Sequence, residues 1–176
     1  MFSSRTWSAA SHGASFCEAS PMKRRGMPRY CTMTDLSIDQ EIETFLALCK
    51  TASLATVDTH GHPCAANIQY ASDQAWRLYW VSSISSAHSV NVGAKPQAAV
   101  TIYAHQDTPE LIHGLQLRGT AAMIQDDQLE DAYELYAAKY PFVTGPPYDK
   151  AMKLQLFYCF KPTWFRWIDN RKGFGW

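Results

Sequence analysis

From Asp35 onward, hydrophobic and polar positions switch between a helical and a strand period. Ile38, Ile42, Phe45, Leu46 and Cys49 recur at helical spacing, and Ser37 with Gln40 forms a capping-box pattern. This predicts one amphipathic helix, with Asp39 and Glu41 at its positive dipole end, shaped to cover the end of a barrel. Thr51–Val57 reads as a strand, Asp58–Gly61 as a turn, and Cys64–Ala71 as a second strand, which together make an antiparallel hairpin. After a turn at Ser72–Gln74, Trp76–Ser82 reads as a third strand, with Trp76, Leu78 and Trp80 on one face and Arg77, Tyr79 and Val81 on the other. The serine cluster that follows opens a short helix capped by Ser85 or Ser86 and ended by Gly93 and Pro96. Gln97–Tyr103 and Leu111–Ile124 are strands separated by a polar loop, the second bent at Gly114 or Gly119. Asp126 and Asp127 open another helix whose apolar face is Leu129, Ala132, Tyr133, Tyr136 and Tyr140, and Pro141 and Gly145-Pro146-Pro147 end it. Gln155–Trp167 is the last strand, with Pro162 at a bulge or an edge.

The order of these elements predicts a mainly β fold with flanking helices. Most strand-to-strand links are short, so pairing is antiparallel, and closing six strands into a barrel removes the exposed edges.

Composition changes this picture at the N-terminus. Residues 1–33 hold Arg5, Lys23, Arg24, Arg25 and Arg29 against one acid, Glu18, and show no periodicity. They read as a basic tail or a misassigned start, ahead of one domain over 34–176; an organellar targeting segment is the other reading of such an Arg- and Ser-rich stretch. The whole chain of 176 residues is formally neutral, 13% aromatic and 18% charged, which fits a buried interface or ligand cavity better than a nucleic-acid or membrane surface. Five scattered cysteines with no Cys-x-x-Cys suggest neither a disulfide framework nor a zinc site, and point to a reducing, cytoplasmic setting.

Candidate chemistry is sparse. Ser82, Ser83, Ser85 and Ser86 beside His88, at a helix N-terminus, can bind an anion, though a plain serine-capped helix has the same pattern. Gln116 and Arg118 share a strand face and either meet a ligand or face water. His60-x-His62 lacks a third metal ligand nearby in sequence, and His105, Asp107 and His113 fit a plain loop. The sequence has neither a nucleophile elbow nor a phosphate loop, and no residue identifies itself as a general acid or base.

Several segments, in order, carry a resemblance. They are Ala52-Ser-Leu-Ala-Thr-Val-Asp58 with Gly61-His-Pro63; Leu78-Tyr-Trp-Val-Ser-Ser83; Ser86-x-His88 with Val90-Asn91 and Pro96-Gln-Ala-Ala-Val100; and Gly114-Leu-Gln-Leu-Arg-Gly119. Across residues 36–176 the chain resembles the pyridoxamine 5'-phosphate oxidase-like FMN-binding split barrels, and its Asp169-Asn170 and Gly173-Phe-Gly175 resemble a branch of small bacterial proteins with a Gly-Phe-Gly end.

The resemblance implies a six-stranded antiparallel split β-barrel that holds FMN between two copies of the chain. It implies ring contacts from Ala65, Ala66, Asn67, Gln69 and Gln116, and a phosphate clamp from Ser82, Ser83, Ser86, His88 and Arg118. His88 stands where the family usually has Lys or Arg, so the expectation is either a weaker, pH-sensitive clamp or a fixed charge supplied by Arg118. Trp167 and Phe174 are expected to stack on the flavin, with Trp80, Trp164 and Trp176 as further aromatic candidates. The C-terminal tail is expected to fold over the partner's site. Relatives that oxidise pyridoxamine phosphate carry basic residues along the 65–70 strand, and this chain has none there. The expected activity is flavin-dependent oxidoreduction of a small molecule, with a nicotinamide nucleotide as one possible partner. The alternatives are a non-catalytic flavin carrier or sensor, a barrel binding haem or a deazaflavin, and an empty dimerising barrel.

Overall fold

The computed structural model describes residues 5–6, 37–152 and 154–173. The elements run in the order β1 (Arg5–Thr6), α1 (Ile38–Leu48), β2 (Thr51–Val57), β3 (Pro63–Gln69), β4 (Ala71–Ser72), β5 (Leu78–Ser82), α2 (Ala87–Ala94) and β6 (Gln97–Tyr103). They continue with β7 (His113–Met123), α3 (Leu129–Lys139), α4 (Tyr148–Met152) and β8 (Leu156–Asp169). Every strand pair is antiparallel, and the hydrogen-bonded path is β3-β2-β6-β7-β8-β5-β4, with β1 added against β8.

The mainly β architecture agrees with the expectation, but the path has seven strands rather than six. The seventh is β4, where Ala71 and Ser72 pair with Tyr79 and Leu78. The sequence gives these two residues no strand pattern, because one is the end of an apolar run and the other opens a turn. The third strand starts at Leu78 rather than Trp76, which has φ 56° inside the Asp73–Trp76 turn. The Asp73 carboxylate fixes that turn by accepting the backbone N–H groups of Ala75 (2.9 Å) and Arg77 (3.0 Å). Within the tail set aside on composition, Arg5 and Thr6 lie against Phe165 and Trp164.

The two ends of the strand path, β3 and β4, are joined by the single residue Tyr70. The sheet must therefore curl until its ends meet, and the inward-facing side chains become a closed core. Cross-strand register lays these side chains in rows. One is Leu54, Val100, Leu117 and Phe165; another holds Ile102, Leu115 and Trp167. Leu78 faces Phe160, and Trp80 faces Tyr158. The helix α1 closes one end with Ile42, Phe45 and Leu46, its start fixed by the complete Ser37–Gln40 capping box. The helix α2 contributes Val92, and its buried Asn91 donates to the buried Thr56 hydroxyl (3.0 Å).

The strand β8 has 14 residues and carries an irregularity opposite Arg118 and Gly119. Arg118 pairs with Trp164 but Gly119 with Pro162, so Thr163 is the extra residue of a bulge. The sequence marks this spot with Pro162. Gly119 is required by space rather than by conformation, because a Cβ there would lie 2.0 Å from the Lys161 carbonyl oxygen.

A second apolar layer packs on the outside of β4, β5 and the first half of β8. Tyr79, Phe157 and Cys159 meet Ala132 and Tyr136 of α3, together with Tyr140 and Val143. Lys139 pins this layer: its Nζ donates to Leu46 O (2.7 Å) and sits 4.0 Å from the Tyr70 ring centroid. Burial, helped by nearby Lys50, lowers its pKa to about 8. Burial raises Tyr136 and Tyr140 to about 12.

Gly119→Ala is expected to cost roughly 1–3 kcal/mol, read as a fall in Tm of a few degrees, because Lys161 and Pro162 must move. Between pH 8 and 10.5 the unfolded Lys139 binds more protons than the folded one, so its contribution to stability rises with pH. Lys139→Met should abolish that rise in denaturant titrations, and Leu46 O keeps the Tyr70 hydroxyl (3.1 Å) as a donor. Tyr136 and Tyr140 act oppositely. The folded state holds their protons longer, so their stabilisation is complete below pH 10 and is lost as pH rises through about 12.

Candidate functional site

The helix α3 covers only part of the outer sheet surface. Among the described residues, no helix packs on the outward side chains of β3, β2, β6, β7 and the second half of β8. Asn67 pairs with Ser53, Ser53 with Thr101, Thr101 with Gln116, and Gln116 with Arg166. Cross-strand partners share a face, so these residues form one polar row. The next row, two positions along each strand, is Ala65, Ala55, Ala99, Arg118 and Trp164. The Arg118 guanidinium lies 4.5 Å from the centroid of the Trp164 ring, and among the described residues no carboxylate pairs with it.

On the other side of the polar row lies an open groove of about 550 Å3. Ser53, Asn67, Thr101 and Gln116 line it, as do Thr51, Tyr103, Gly114 and Ile168. Ile112 and His113 close it where β7 begins. The groove is therefore a polar floor with a partly apolar wall, on a surface open to a large ligand or a second protein.

Of the sequence-predicted residues, Asn67 and Gln116 come together in this groove. Ala65 and Arg118 belong to the adjoining row, and Gln69 lies two residues beyond Asn67 on the same face, opposite Thr51. Two expected contacts point the other way. Ala66 stands opposite the buried Leu54, and Trp167 opposite the buried Leu115, with the Phe45 ring 5.1 Å from its own. Successive strand residues alternate faces, so Ala65 and Ala66 cannot both meet one ligand from the same side of the sheet. Trp80 is also interior, stacked on Tyr158 at 5.5 Å, whereas Trp164 is on the outer face. Phe174 and Trp176 lie outside the described residues.

The serine cluster forms a separate constellation, and none of its members lines the groove. Ser86 caps α2, accepting from the Ser89 N–H (3.3 Å), and its hydroxyl donates to Ser89 Oγ (2.8 Å). Ser82 Oγ lies 2.9 Å from both Ser86 Oγ and His88 Nε2, and Ser83 Oγ lies 2.9 Å from Ser85 Oγ. These hydroxyls satisfy one another. Burial lowers the pKa of His88, which favours the neutral ring, whose Nε2 can accept from Ser82. Arg118 carries a fixed positive charge on this face, and Arg166 carries another in the polar row.

The other histidines have local partners. The Asp58 carboxylate accepts the His60 and His62 N–H groups (both 2.8 Å) and lies 3.1 Å from His62 Nδ1. His105 and Asp107 are exposed, and the His113 ring packs edge-on against Phe45 with Nδ1 2.8 Å from Leu111 O. Among the described residues no group of three or more His, Cys, Asp or Glu side chains is placed to hold a metal ion. None of their helices is long and apolar enough to cross a membrane.

Sequence reasoning missed Thr51, Ser53, Thr101, Tyr103, Ile112 and Ile168. The strands β2 and β6 were legible, but their adjacency was not, because β6 follows β5 in the chain yet inserts beside β2. Without that order, Ser53 and Thr101 are only two polar residues on separate strands.

Residues 38–167 match the family model for pyridoxamine 5'-phosphate oxidase. The chain belongs to the pyridoxamine 5'-phosphate oxidase family. Solved structures share the family's split-barrel fold. A conserved hypothetical protein of Mycobacterium tuberculosis is 20% identical with a TM-score of 0.67, the match covering 78% of this chain and 88% of that one. The haem storage protein HutZ of Vibrio cholerae is 21% identical with a TM-score of 0.58, covering 72% and 91%. A Listeria innocua protein that carries the pyridoxamine 5'-phosphate oxidase name is 19% identical with a TM-score of 0.58, covering 76% and 99%. No protein of curated function matches the sequence. The family match takes in every wall of the groove except Ile168.

The His88 assignment is open to direct measurement. An NMR titration of the imidazole should give a pKa below the ordinary 6.5, and a value above it would show that the ring is not desolvated as the structure has it.

Proposed function

We propose that this chain binds FMN on the uncovered sheet face, as a homodimer with the flavin at the subunit interface. The observation that carries the reading is the polar row Asn67–Ser53–Thr101–Gln116, which floors a groove of about 550 Å3 in a chain of this family. Such a volume lies within the ordinary range for ligand sites, roughly 300–1,000 Å3.

The donor set fits FMN. The amides of Asn67 and Gln116 offer both donors and acceptors to the edge of a flavin ring. The row Ala65–Ala55–Ala99 gives a flat, methyl-covered surface beside them, leading to the Arg118 guanidinium as anchor for the phosphate. A bound flavin supplies hydride or electron transfer, and the protein's contribution is to orient it and hydrogen-bond its edge. The partner reaction is oxidoreduction of a small molecule, with a nicotinamide nucleotide as one donor. The surface left bare by α3 is the face a second copy would cover.

Purified protein mixed with FMN and passed over a sizing column should carry flavin absorption bands in a dimer-sized peak. Anaerobic bleaching by NADPH would make it an oxidoreductase; retained colour would favour a carrier or another donor. Arg118→Ala should weaken FMN about 10- to 100-fold while barely changing riboflavin, which has no phosphate, as expected for loss of a charged hydrogen bond. Absence of flavin in the peak, with a haem band appearing on haem addition, would replace FMN by haem, the ligand named for the similar Vibrio cholerae protein.

A further inference from the structure

We propose that the Lys139 amine is a modification site that takes up carbon dioxide as a carbamate, with Lys50 as the cation that pairs with it. The site stands apart from the groove, and neither lysine lines that groove.

Lys139 ends α3, and Lys50 lies between α1 and β2. Both ammonium groups approach the Tyr140 ring, Lys50 Nζ at 5.5 Å and Lys139 Nζ at 6.0 Å from its centroid. Among the described residues no carboxylate pairs with either one. Lys139 Nζ has three donors to place, and the acceptor it meets is Leu46 O (2.7 Å), with the Tyr70 ring centroid at 4.0 Å. The other titratable groups facing it supply no negative charge. The Tyr70 hydroxyl donates to Leu46 O, and the Tyr140 hydroxyl donates to Lys50 O (2.6 Å) and Tyr70 O. Burial raises the Cys49 thiol, which stays protonated near neutral pH.

Two cations therefore share one aromatic corner without an anion among the described residues. The strain is relieved when half-buried Lys139 gives up its charge, and its pKa accordingly falls to about 8. At pH 7.4 about a fifth of such an amine is neutral, against roughly one in a thousand for an ordinary lysine. A neutral amine that donates one N–H to Leu46 O keeps its lone pair free to attack an electrophile.

The corner selects that electrophile. It must be small to reach a half-buried amine, uncharged to enter among aromatic rings, and must leave an anion, because negative charge is what the corner lacks. An acyl group would leave Lys50 unpaired. Carbon dioxide meets all three conditions. The amine lone pair forms the C–N bond, one C=O electron pair moves onto oxygen, and the nitrogen loses a proton to solvent. Nothing is oxidised or reduced. The carbamate keeps one N–H for Leu46 O, and its carboxylate turns a like-charge pair with Lys50 into an opposite one.

The full-length protein in bicarbonate buffer, treated with triethyloxonium to trap carbamates as ethyl esters and digested for mass spectrometry, tests this. At pH 7.4 Lys139 should carry the ethoxycarbonyl group at least about tenfold more often than the exposed Lys150 and Lys161. Lys50→Met should cut Lys139 labelling at least about threefold, through loss of the paired cation. Ammonium loses two protons on becoming a carbamate and neutral amine loses one. At fixed dissolved carbon dioxide, the logarithm of labelling against pH should therefore bend near 8 for Lys139 and run straight through that pH for Lys150 and Lys161. Labelling of Lys139 no greater than that of the exposed lysines, or unchanged in Lys50→Met, would overturn the site.

Discussion

Tyr70 is the constraint on which the rest of the architecture depends. It alone links the two ends of the hydrogen-bonded strand path, so the sheet cannot stay open. The residue is fully buried; its hydroxyl donates to Leu46 O, its carbonyl accepts the Tyr140 hydroxyl (2.9 Å), and its ring lies beside the Lys139 ammonium. One corner residue thus ties α1, the sheet closure and α3 together. Its own phenol is pushed well above the ordinary range by burial, so it remains a donor at any physiological pH.

Closure settles which surfaces are left. The interior is filled by the strand rows and capped by α1 and α2. Outside, α3 has one apolar face to bury and spends it on β4, β5 and the start of β8. The remaining outer surface keeps the polar row and the alanine row, and that division sets the candidate site apart from the stabilising layer. The bulge at Thr163 falls within β8, between the stretch paired with β5 and the stretch on the bare surface. One strand therefore serves both surfaces.

Much of this was legible. The capping box at Ser37, the serine-capped α2, the strands β2, β6 and β7 and the irregularity near Pro162 all announce themselves through local chemistry. Asn67, Gln116 and Arg118 are polar residues at outward strand positions, and both their identity and their spacing can be read from the chain. The rest depended on non-local geometry. Ala66 and Trp167 fall to the interior because strand parity, not residue type, decides which way they point. Ser53 and Thr101 become part of a site only once β6 inserts beside β2. The two-residue strand β4 has no pattern of its own and exists because the sheet has to close. In the His88 cluster the residue types were legible, but the hydroxyls turned out to satisfy one another.

The alanine row has a consequence of its own. Long side chains on a docking surface lose rotational freedom when a partner arrives, and that loss opposes association. Ala65, Ala55 and Ala99 have only methyl groups, with no rotamers to freeze. Whatever settles on this strip, a flat ring or another copy of the sheet, meets a surface that is already as ordered before contact as after it.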